Sequence, residues 1–353
     1  MEAYLLTSKY QVQALKGFCR GVLESVGVPH ADADITADII LQAERFGVSS
    51  HGLVRLPHYV TKIRNGSINP HPRVRVVKEG LGTALVDGDN GLGHVVSYFA
   101  MKKAIELGKQ GPAFVGVKRS SHFGIAGYYA LMAAKEGMIG LSFTHADVIL
   151  APYGGSEARL GSNPLAFAIP CDGAHPILLD ISTSAVAWGK IIVARERDEP
   201  ISPEWAMDSI GKPTTNPHEA RVLLPFGGHK GYGLALFVEL LCGVLTGSPF
   251  GIHIPAMYGD LTKPRDLGHL FGVLRADSFI DLNEFKTRAA QLADEMRTTK
   301  PAPGFKEVLV PGDLEFRYQA KVDREGIALD SSLNEQLKEL GVQQNVEFPA
   351  PLA

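Results

Sequence analysis

The sequence predicts an α/β protein in which a β-sheet is covered by helices on both faces and preceded by a mostly helical N-terminal region. Three observations support this fold class. The chain has 353 residues, which is too long for one small core. Residues 1–75 contain apolar residues at helical spacing. From about residue 83, short and nearly all-apolar runs alternate with helical segments, as strands buried on both faces do.

The N-terminal region is predicted to contain three helices. Apolar residues recur with helical spacing over 8–28 and again over 31–47. A polar turn with the sequence SSHG follows, and a third helix then runs through LPHYVTKIRNG to Gly66. Two prolines mark the loop after it.

Strands and helices alternate in the middle of the chain. The predicted strands are TALVDGD, AFVGV, MIGLSFT, LAFAIP and PILLDIS, and the predicted helices are VVSYFAMKKAIELGKQ and GIAGYYALMAAKEG. Residues 195–222 are polar and rich in proline, which indicates a surface excursion. The apolar helix at 231–247 contains Glu239 and is shorter than the ~20 residues of a membrane span, so we expect it to be buried. An amphipathic helix at 282–299 follows, and the polar tail from residue 331 carries one short helical patch.

Composition and charge exclude several classes of protein. Apolar residues make up 45% of the chain and charged residues 21%, which is ordinary for a soluble globular protein. The formal charge of -3 provides no basic footprint for nucleic acid or an anionic membrane. The N-terminus lacks the basic and apolar regions of a signal peptide. The three cysteines lie far apart without a C-x-x-C pair, so we expect no disulfide framework, no structural zinc and a cytoplasmic location.

Two glycine-rich segments resemble nucleotide-binding loops without matching their motifs. GDNGLGHVVS lies between a strand and a helix, but it lacks the third glycine of a Rossmann loop and the acidic residue that follows one. LLPFGGHKGYG lacks the spacing of a Walker loop. Lys230 nevertheless stands at the start of a helix, where unpaired N–H groups and the helix dipole attract phosphate. A turn with a solvated lysine explains the same residues, and both interpretations stay open.

Two histidines are candidates for proton transfer. His122 lies in RSSHFGIAGYYA, after a strand's carboxyl end, where open α/β sheets place ligands. His51 follows Ser50 and precedes Arg55 by one helical turn, so His51 and Arg55 would share a face if a helix starts here. A guanidinium beside an imidazole suits a carboxylate substrate. Helix-capping serines with incidental histidines are the alternative.

Further polar groups follow other predicted strands. They are Asp147, Asn163 and the run from Asp180 to Ser184. An acid followed by hydroxyl groups suits a ribose and equally suits the cap of the next helix. No H-E-x-x-H motif and no close histidine pair with an acid occur, so no metal site is predicted.

Six motifs occur in a fixed order: SSHGLVRLPHYV, SSHFGIAGYYA, GSNPLAFAIP, LLDISTSAVAWGKI, LLPFGGHKGYGLAL, and PAPGF followed by PG. Together they resemble the type-2 malate/L-lactate dehydrogenase family, also called sulfolactate-dehydrogenase-like, from about residue 10 to 330. The resemblance implies an NAD(P)-dependent oxidoreductase acting on a CH–OH group, with a non-Rossmann NAD(P)-binding mixed sheet. It also implies a homodimer whose active site lies near the subunit interface.

The resemblance assigns roles to residues by motif position. His51 and His122 match the active-site histidines, with His122 favoured as the acid/base, and Ser50 and Arg55 match positions that orient the substrate. Asn163 is predicted as a further substrate contact. The predicted cofactor contacts are Asp180, Ile181, Ser182, Thr183, Ser184, His229, Lys230, Gly312 and Asp313. NAD is favoured, whereas Lys190, Arg195 and Arg197 would suit NADP, and Ala146 stands where a serine can contact the cofactor.

The predicted domains are a helical dimerisation and substrate region, formed by 1–75 with 320–353, and an α/β dinucleotide-binding domain at 76–319. The favoured function is the interconversion of a small, malate- or lactate-like 2-hydroxy acid and its 2-oxo acid by hydride transfer. Three alternatives stay open: a ureidoglycolate dehydrogenase, whose motif spacing is similar, a cyclic imino acid reductase, and a non-catalytic nucleotide-binding protein. Neither nucleic acid nor a membrane is an expected partner.

Overall fold

The computed structural model describes residues 7–352. Residues 1–6 and Ala353 lie outside the described residues. Residues 1–6 begin the predicted helical region and the N-terminal stretch in which no signal peptide is predicted. Residues 7–352 form a mixed α/β fold with ten α-helices and eleven strands. The helices are α1 (Val12–Ser25), α2 (His30–Arg45), α3 (Leu56–Arg64), α4 (Gly93–Gly108), α5 (Ala126–Lys135), α6 (Trp188–Glu196), α7 (His229–Glu239), α8 (Leu282–Arg297), α9 (Asp313–Glu325) and α10 (Ser331–Gln344). The strands are β1 (Ser8–Tyr10), β2 (Arg75–Gly80), β3 (Thr83–Asp87), β4 (Ala113–Ser120), β5 (Met138–Thr144), β6 (Leu165–Ile169), β7 (Ile177–Ile181), β8 (Ala206–Met207), β9 (Val222–Leu223), β10 (Leu267–Arg275) and β11 (Ile327–Leu329).

A mixed sheet forms the centre of the fold. Within the described chain it has seven strands in the order β2-β3-β4-β10-β5-β6-β7. Strands β3 and β4 pair in parallel, and the other neighbours are antiparallel. The sequence patterns included neither β2 nor the central strand β10. Two glycines and a histidine in LGHLFGVLR weaken its strand propensity, and the strands that bury it, β4 and β5, come more than a hundred residues earlier in the chain.

Helices cover both faces of the sheet, as the sequence predicts. On one face, α4 and α5 present alanines and other small side chains to β4, β5 and β6, so the helix axes approach the sheet closely. On the other face, α7 and a π-helical turn at Leu240–Val244 pack on apolar side chains of β5, β6 and β10. Each large apolar side chain buried in these layers contributes about 1.5–3 kcal/mol to the free energy of folding.

The helical N-terminal region shares its core with the C-terminal segment. Side chains of α1 and α2, such as Leu15 and Ile40, belong to one buried cluster with Leu337 and Leu340 of α10. Strand β1 pairs antiparallel with β11. The two ends of the described chain therefore meet, while the predicted domain boundaries stay a prediction.

Four predicted elements differ from the structure. The helix expected over 8–28 begins at Val12, because the residues before it pair as β1. The polar tail carries the 14-residue α10 rather than a short patch. The excursion at 195–222 is not wholly superficial, since Ile201 and Ala220 are buried in a small cluster with α6. The apolar helix predicted at 231–247 begins at His229 and exposes its outer face, so it is not a buried core helix.

No helix among residues 7–352 combines the length and the apolar character needed to cross a bilayer.

Candidate active site

The SSHGLVR segment does not start a regular helix. Ser49–His51 and Leu53–Arg55 each form a 3₁₀ turn, separated by Gly52, and α3 begins after them. The expectation that His51 and Arg55 share one helix face is therefore wrong. The buried carboxylate of Glu44 in α2 imposes this conformation, because it accepts hydrogen bonds from Leu53 N at 2.7 Å and from Ser49 Oγ at 2.9 Å. Gly52 has no Cβ to collide with that carboxylate.

The two predicted histidines lie together although the chain separates them. The imidazole rings of His51 and His122 stack with their centroids 5.3 Å apart and their planes at 29°. The hydroxyl of Tyr59, in α3, lies 2.7 Å from His122 Nδ1. Ser50 Oγ lies 2.9 Å from His51 Nδ1. Each imidazole therefore has one nitrogen held by a hydroxyl group.

Both histidines are held in the neutral form. Burial and the charge of Arg55 lower the pKa of His51 to about 4. Burial lowers the pKa of His122 well below 6.5, and the neighbouring His51 and Arg55 lower it further. His94, which is fully buried and packs edge-on against Tyr59 at 5.0 Å, has its pKa lowered to about 3, again chiefly by burial. A neutral imidazole is the form that accepts a proton.

A group of cationic side chains lies beside the histidines. Arg55 Nε donates to Ser50 O at 2.6 Å, and its Nη1 contacts the hydroxyl of Tyr258. Arg55 forms no ion pair with any carboxylate among residues 7–352. Arg265 is buried and pairs with Asp147. This arrangement leaves positive charge available for an anionic ligand.

The predicted cofactor residues line β7 and the chain after it. Leu178 N donates to Pro311 O at 3.1 Å, next to Gly312, whose φ of 99° and closeness to Leu178 both favour glycine. Five residues after Leu178, Thr183 O accepts from Phe226 N just before the start of α7. We call the segment from Leu178 to Thr183 the β7 track. At about 3.3 Å per residue, it is roughly 17 Å long. It brings Gly312, Asp180–Ser184 and the Lys230 segment together along one edge of the sheet.

Hydrogen bonds join the β7 track to two segments beside the histidine site. Asp180 Oδ2 accepts a 2.7 Å hydrogen bond from Gly127 N in the first turn of α5, just after the loop that carries His122. Burial raises the pKa of Asp180 to about 6, against the lowering effect of that bond. Thr183 N donates to Ser162 O at 2.8 Å, and the adjacent Asn163 holds Ala146 N at 3.1 Å, next to Asp147.

Several predicted residues have other partners. The side-chain amide of Asn163 is fully buried and bonds Ala146 N, Ala235 O and Glu239 Oε2, so its polar atoms are engaged by the protein. Arg195 donates to Pro217 O and Ala220 O at 2.6 and 2.7 Å. Asp313 is buried and receives two hydrogen bonds from Arg297. His229 and Lys230 are exposed at the start of α7. Ile181 and Ser182 lie on the β7 track, and Ser184 follows it.

Sequence reasoning missed three residues of this site. Tyr59 lies one helical turn after Arg55, a spacing that could have indicated it. Arg265 and Tyr258 lie in AMYGDLTKPRDLGHL, and only their contacts with Asp147 and Arg55 connect them to the site. No group of three or more His, Cys, Asp or Glu side chains in the described part of the chain is arranged to hold a metal ion.

Residues 10–338 match the family described as malate/L-lactate dehydrogenase. The chain belongs to this family. It is 40% identical to the malate dehydrogenase of Pyrococcus abyssi over 344 residues, which cover 94% of each chain. It is 37% identical to the ureidoglycolate dehydrogenase (NAD(+)) of Escherichia coli over 322 residues, which cover 91% of this chain and 92% of the relative. Its fold superposes on the sulfolactate dehydrogenase of Methanocaldococcus jannaschii with a TM-score of 0.92 at 38% identity, covering 97% of this chain and 98% of the other.

Family membership identifies the class of chemistry. The protein is an oxidoreductase, a dehydrogenase acting on a CH–OH group. Members of such a family use a nicotinamide cofactor, which supplies the hydride chemistry itself.

Proposed function

We propose that this protein interconverts a small, malate- or lactate-like 2-hydroxy acid and its 2-oxo acid by NAD(P)-dependent hydride transfer. The observation that carries the proposal is the juxtaposition of two groups. His122 is neutral and held by a tyrosine hydroxyl. Arg55 is close enough for its charge to lower the pKa of His122, and it has no carboxylate partner in residues 7–352. A base beside an unpaired guanidinium suits a hydroxyl next to a carboxylate.

Arg55 binds the substrate carboxylate in this proposal. Its Nε bond to Ser50 O and its contact with Tyr258 fix the plane of the guanidinium, so the carboxylate meets an oriented group rather than a freely rotating one. Orientation of this kind supplies several kcal/mol toward the barrier. Arg265, with its charge shared with Asp147, is the second cation facing the same region.

His122 accepts the hydroxyl proton during oxidation. To act as a base through Nε2, the neutral ring must carry its proton on Nδ1 and donate it to the Tyr59 oxygen. Nδ1 then gives up the long, 3.4 Å hydrogen bond that it accepts from Gly124 N, and Nε2 keeps its lone pair. When Nε2 takes the proton, Nδ1–H keeps donating to Tyr59, and this bond stabilises the imidazolium. The pKa of Tyr59 is raised by burial, so the phenol stays neutral. Proton transfer of this kind contributes about 10²–10⁴-fold in rate.

The track along β7 fits an extended dinucleotide. Its length is about 17 Å. The half-buried Asp180 at its centre suits the hydroxyl groups of such a ligand, and the exposed Lys230 at the N-terminus of α7 suits its phosphates. A nicotinamide dinucleotide bound there supplies the hydride acceptor. Asp180 would bind a ribose hydroxyl and Lys230 the pyrophosphate. NAD is favoured, because Arg195, one of three cations that could hold a 2′-phosphate, already bonds two backbone carbonyls.

The protein acts as a homodimer in this proposal. The apolar side chains exposed by α7 and the following turn are Leu234, Phe237, Leu240, Val244 and Leu245. An exposed apolar face of this extent is typical of an interaction surface. The face continues through the exposed Phe250 and Ile252 toward Tyr258, beside Arg55. A second copy covering it would place the substrate site near the interface. Leu245→Asp should convert the dimer to monomer in light scattering, whereas Val342→Asp on the remote α10 should not.

A substrate panel tests the proposed function. Oxaloacetate, pyruvate, sulfopyruvate, ureidoglycolate and a cyclic imino acid are each assayed with the NAD and NADP pairs, with the absorbance of the reduced nicotinamide as the readout. We expect steady turnover of at least one 2-oxo acid. Turnover of ureidoglycolate or of the imino acid alone would replace the proposed substrate class. No turnover of any compound would favour the non-catalytic alternative.

A further inference from the structure

A buried carboxylate, Glu239, lies at the end of α7 and outside the histidine site. The residue is 4% exposed. Glu239 Oε2 accepts from Asn163 Nδ2 and Glu239 Oε1 from Gly251 N, both at 2.7 Å. Burial opposes ionisation of this group, but its hydrogen bonds and the neighbouring His145 keep the pKa of Glu239 below the ordinary value. Burying an ionised carboxylate costs free energy. Once both of its oxygens accept hydrogen bonds, the group is held in a fixed position.

His145 extends this network to a further segment. The ring of His145 is fully buried, and its Nε2 accepts a 2.7 Å hydrogen bond from Gly268 N. Because Nε2 is an acceptor, the neutral ring carries its proton on Nδ1. Nδ1 lies 3.6 Å from Glu239 Oε1, so this contact is electrostatic rather than a hydrogen bond. Gly268 is required here because a Cβ would collide with the carbonyl of Cys242 in the π-helical turn. The turn therefore packs directly against the start of β10.

The segments joined by this network carry the cationic group of the active site. Asn163 bonds Ala146 N, next to Asp147. Asp147 pairs with Arg265, three residues before Gly268, and accepts from Met257 N at 3.1 Å. Gly251 begins the loop that leads to Met257 and to Tyr258, the contact of Arg55. Glu239 does not contact Arg55 or Arg265. Each of these two side chains is held by a segment that contacts Glu239 or one of its partners.

We propose that Glu239 is a positioning residue for the substrate-carboxylate site, acting through Asn163, His145 and the 249–258 loop on Arg55 and Arg265. This inference rests on the proposed function for its substrate. It also changes the predicted role of Asn163, whose amide links Glu239 to Asp147 rather than binding the substrate. The π-helical turn after Glu239 matches this role, since such bulges occur frequently at functional sites.

Glu239→Gln tests the proposal. A carboxamide has one acceptor oxygen, so one of the donors Asn163 Nδ2 and Gly251 N must face an NH₂ group. We expect KM for the best 2-oxo acid of the panel to rise by about 10-fold or more, as loss of a hydrogen bond to a charged group implies. The Kd of the reduced dinucleotide, from fluorescence titration, should change by less than about 2-fold. Hydrogen exchange should become faster in peptides covering 249–258.

Two further variants keep the outcome decisive. Tyr10→Phe removes a buried 2.8 Å hydrogen bond to Asn334, far from the site, and should lower stability without changing KM. Glu239→Asp keeps both acceptor oxygens and should raise KM less than Glu239→Gln. If Glu239→Gln does not fold, the KM of Glu239→Asp tests the proposal. An unchanged KM, or equal losses of substrate and dinucleotide binding, would overturn the proposal. If the wild type turns over no substrate, the proposed function fails, and the exchange of 249–258 still decides whether Glu239 orders that loop.

Discussion

Tyr59→Phe is the most direct test of the proton-transfer arrangement. The substitution removes only the phenolic oxygen, which lies 2.7 Å from His122 Nδ1. The ring of Tyr59 is 1% exposed and packs against His94, so phenylalanine fills the same space and the fold should persist. The change therefore separates the role of the hydroxyl from that of the packing.

The expected magnitude follows from the charge on His122 when it has accepted the proton. A hydrogen bond to a charged group contributes about 1.5–3 kcal/mol, and each ~1.4 kcal/mol of barrier is tenfold in rate. We therefore expect kcat for oxidation of the 2-hydroxy acid to fall by about 10- to 100-fold. The Kd of the dinucleotide should stay unchanged, because Tyr59 does not lie on the β7 track.

The dependence of the rate on pH checks the same reasoning. The pKa of His122 is lowered by burial and by its neighbours, so the base is already deprotonated at neutral pH. The kcat/KM for oxidation, which reports the free protein, should therefore be independent of pH around neutrality and decline only as the pH falls through the lowered pKa.

Initial rates from the absorbance of the reduced nicotinamide measure both effects. Tyr128→Phe, which loses a 2.8 Å bond to Asp38, is the matched control and should keep wild-type kcat. An unchanged kcat in Tyr59→Phe would refute the role of the hydroxyl. An apparent pKa at or above the ordinary 6.5 of histidine in the pH profile of kcat/KM, which reports the free protein, would refute the lowered pKa.

Three other substitutions test the remaining parts of the site. Arg55→Lys removes the planar fork that binds a carboxylate and should raise KM for the 2-oxo acid, and an equal loss on the methyl ester of that acid would contradict the assignment. Lys230→Ala should raise the Kd of the dinucleotide several-fold in a fluorescence titration, and an unaltered Kd would remove Lys230 from the cofactor site. Asp180 has a pKa raised to about 6 by burial, so the folded wild type loses stability as the pH rises through that value. Asp180→Asn should therefore raise the melting temperature at neutral pH but not at acidic pH, and a pH-independent difference would argue against this account.

The sequence predicts the strands and helices whose burial shows in the apolar periodicity of their own residues. Strands such as MIGLSFT and the helices α4 and α5 are apolar in the periodicity of their own structure, and they appear at the expected positions. Strand β10 could not be predicted in the same way, because its place at the centre of the sheet depends on β4 and β5. The burial predicted for all sides of α7 differs from the structure for a related reason. A helix that is apolar on all sides predicts burial, but the sequence does not tell what covers it.

The candidate site was predictable where a motif carries the residue and not where tertiary contacts carry it. The motifs predict His51 and His122 as candidates, and the structure brings their rings together. Asn163 stays a predicted substrate contact. Its amide bonds three protein partners from other parts of the chain, which its motif does not reveal. Arg265 lies in a segment without a recognisable motif. Its significance depends on the ion pair with Asp147, which no spacing in the sequence encodes.

The electrostatics of the site connect substrate binding to proton transfer. Arg55 lowers the pKa of both His51 and His122, after burial, by disfavouring a second positive charge. A bound carboxylate on Arg55 would offset that charge, and the proton affinity of His122 would rise when, and only when, the substrate is in place. The free protein therefore keeps its base unprotonated over the neutral pH range. The complex contains a base strong enough to take the hydroxyl proton. A site that used histidine without the adjacent guanidinium would have to balance these two requirements with one fixed pKa.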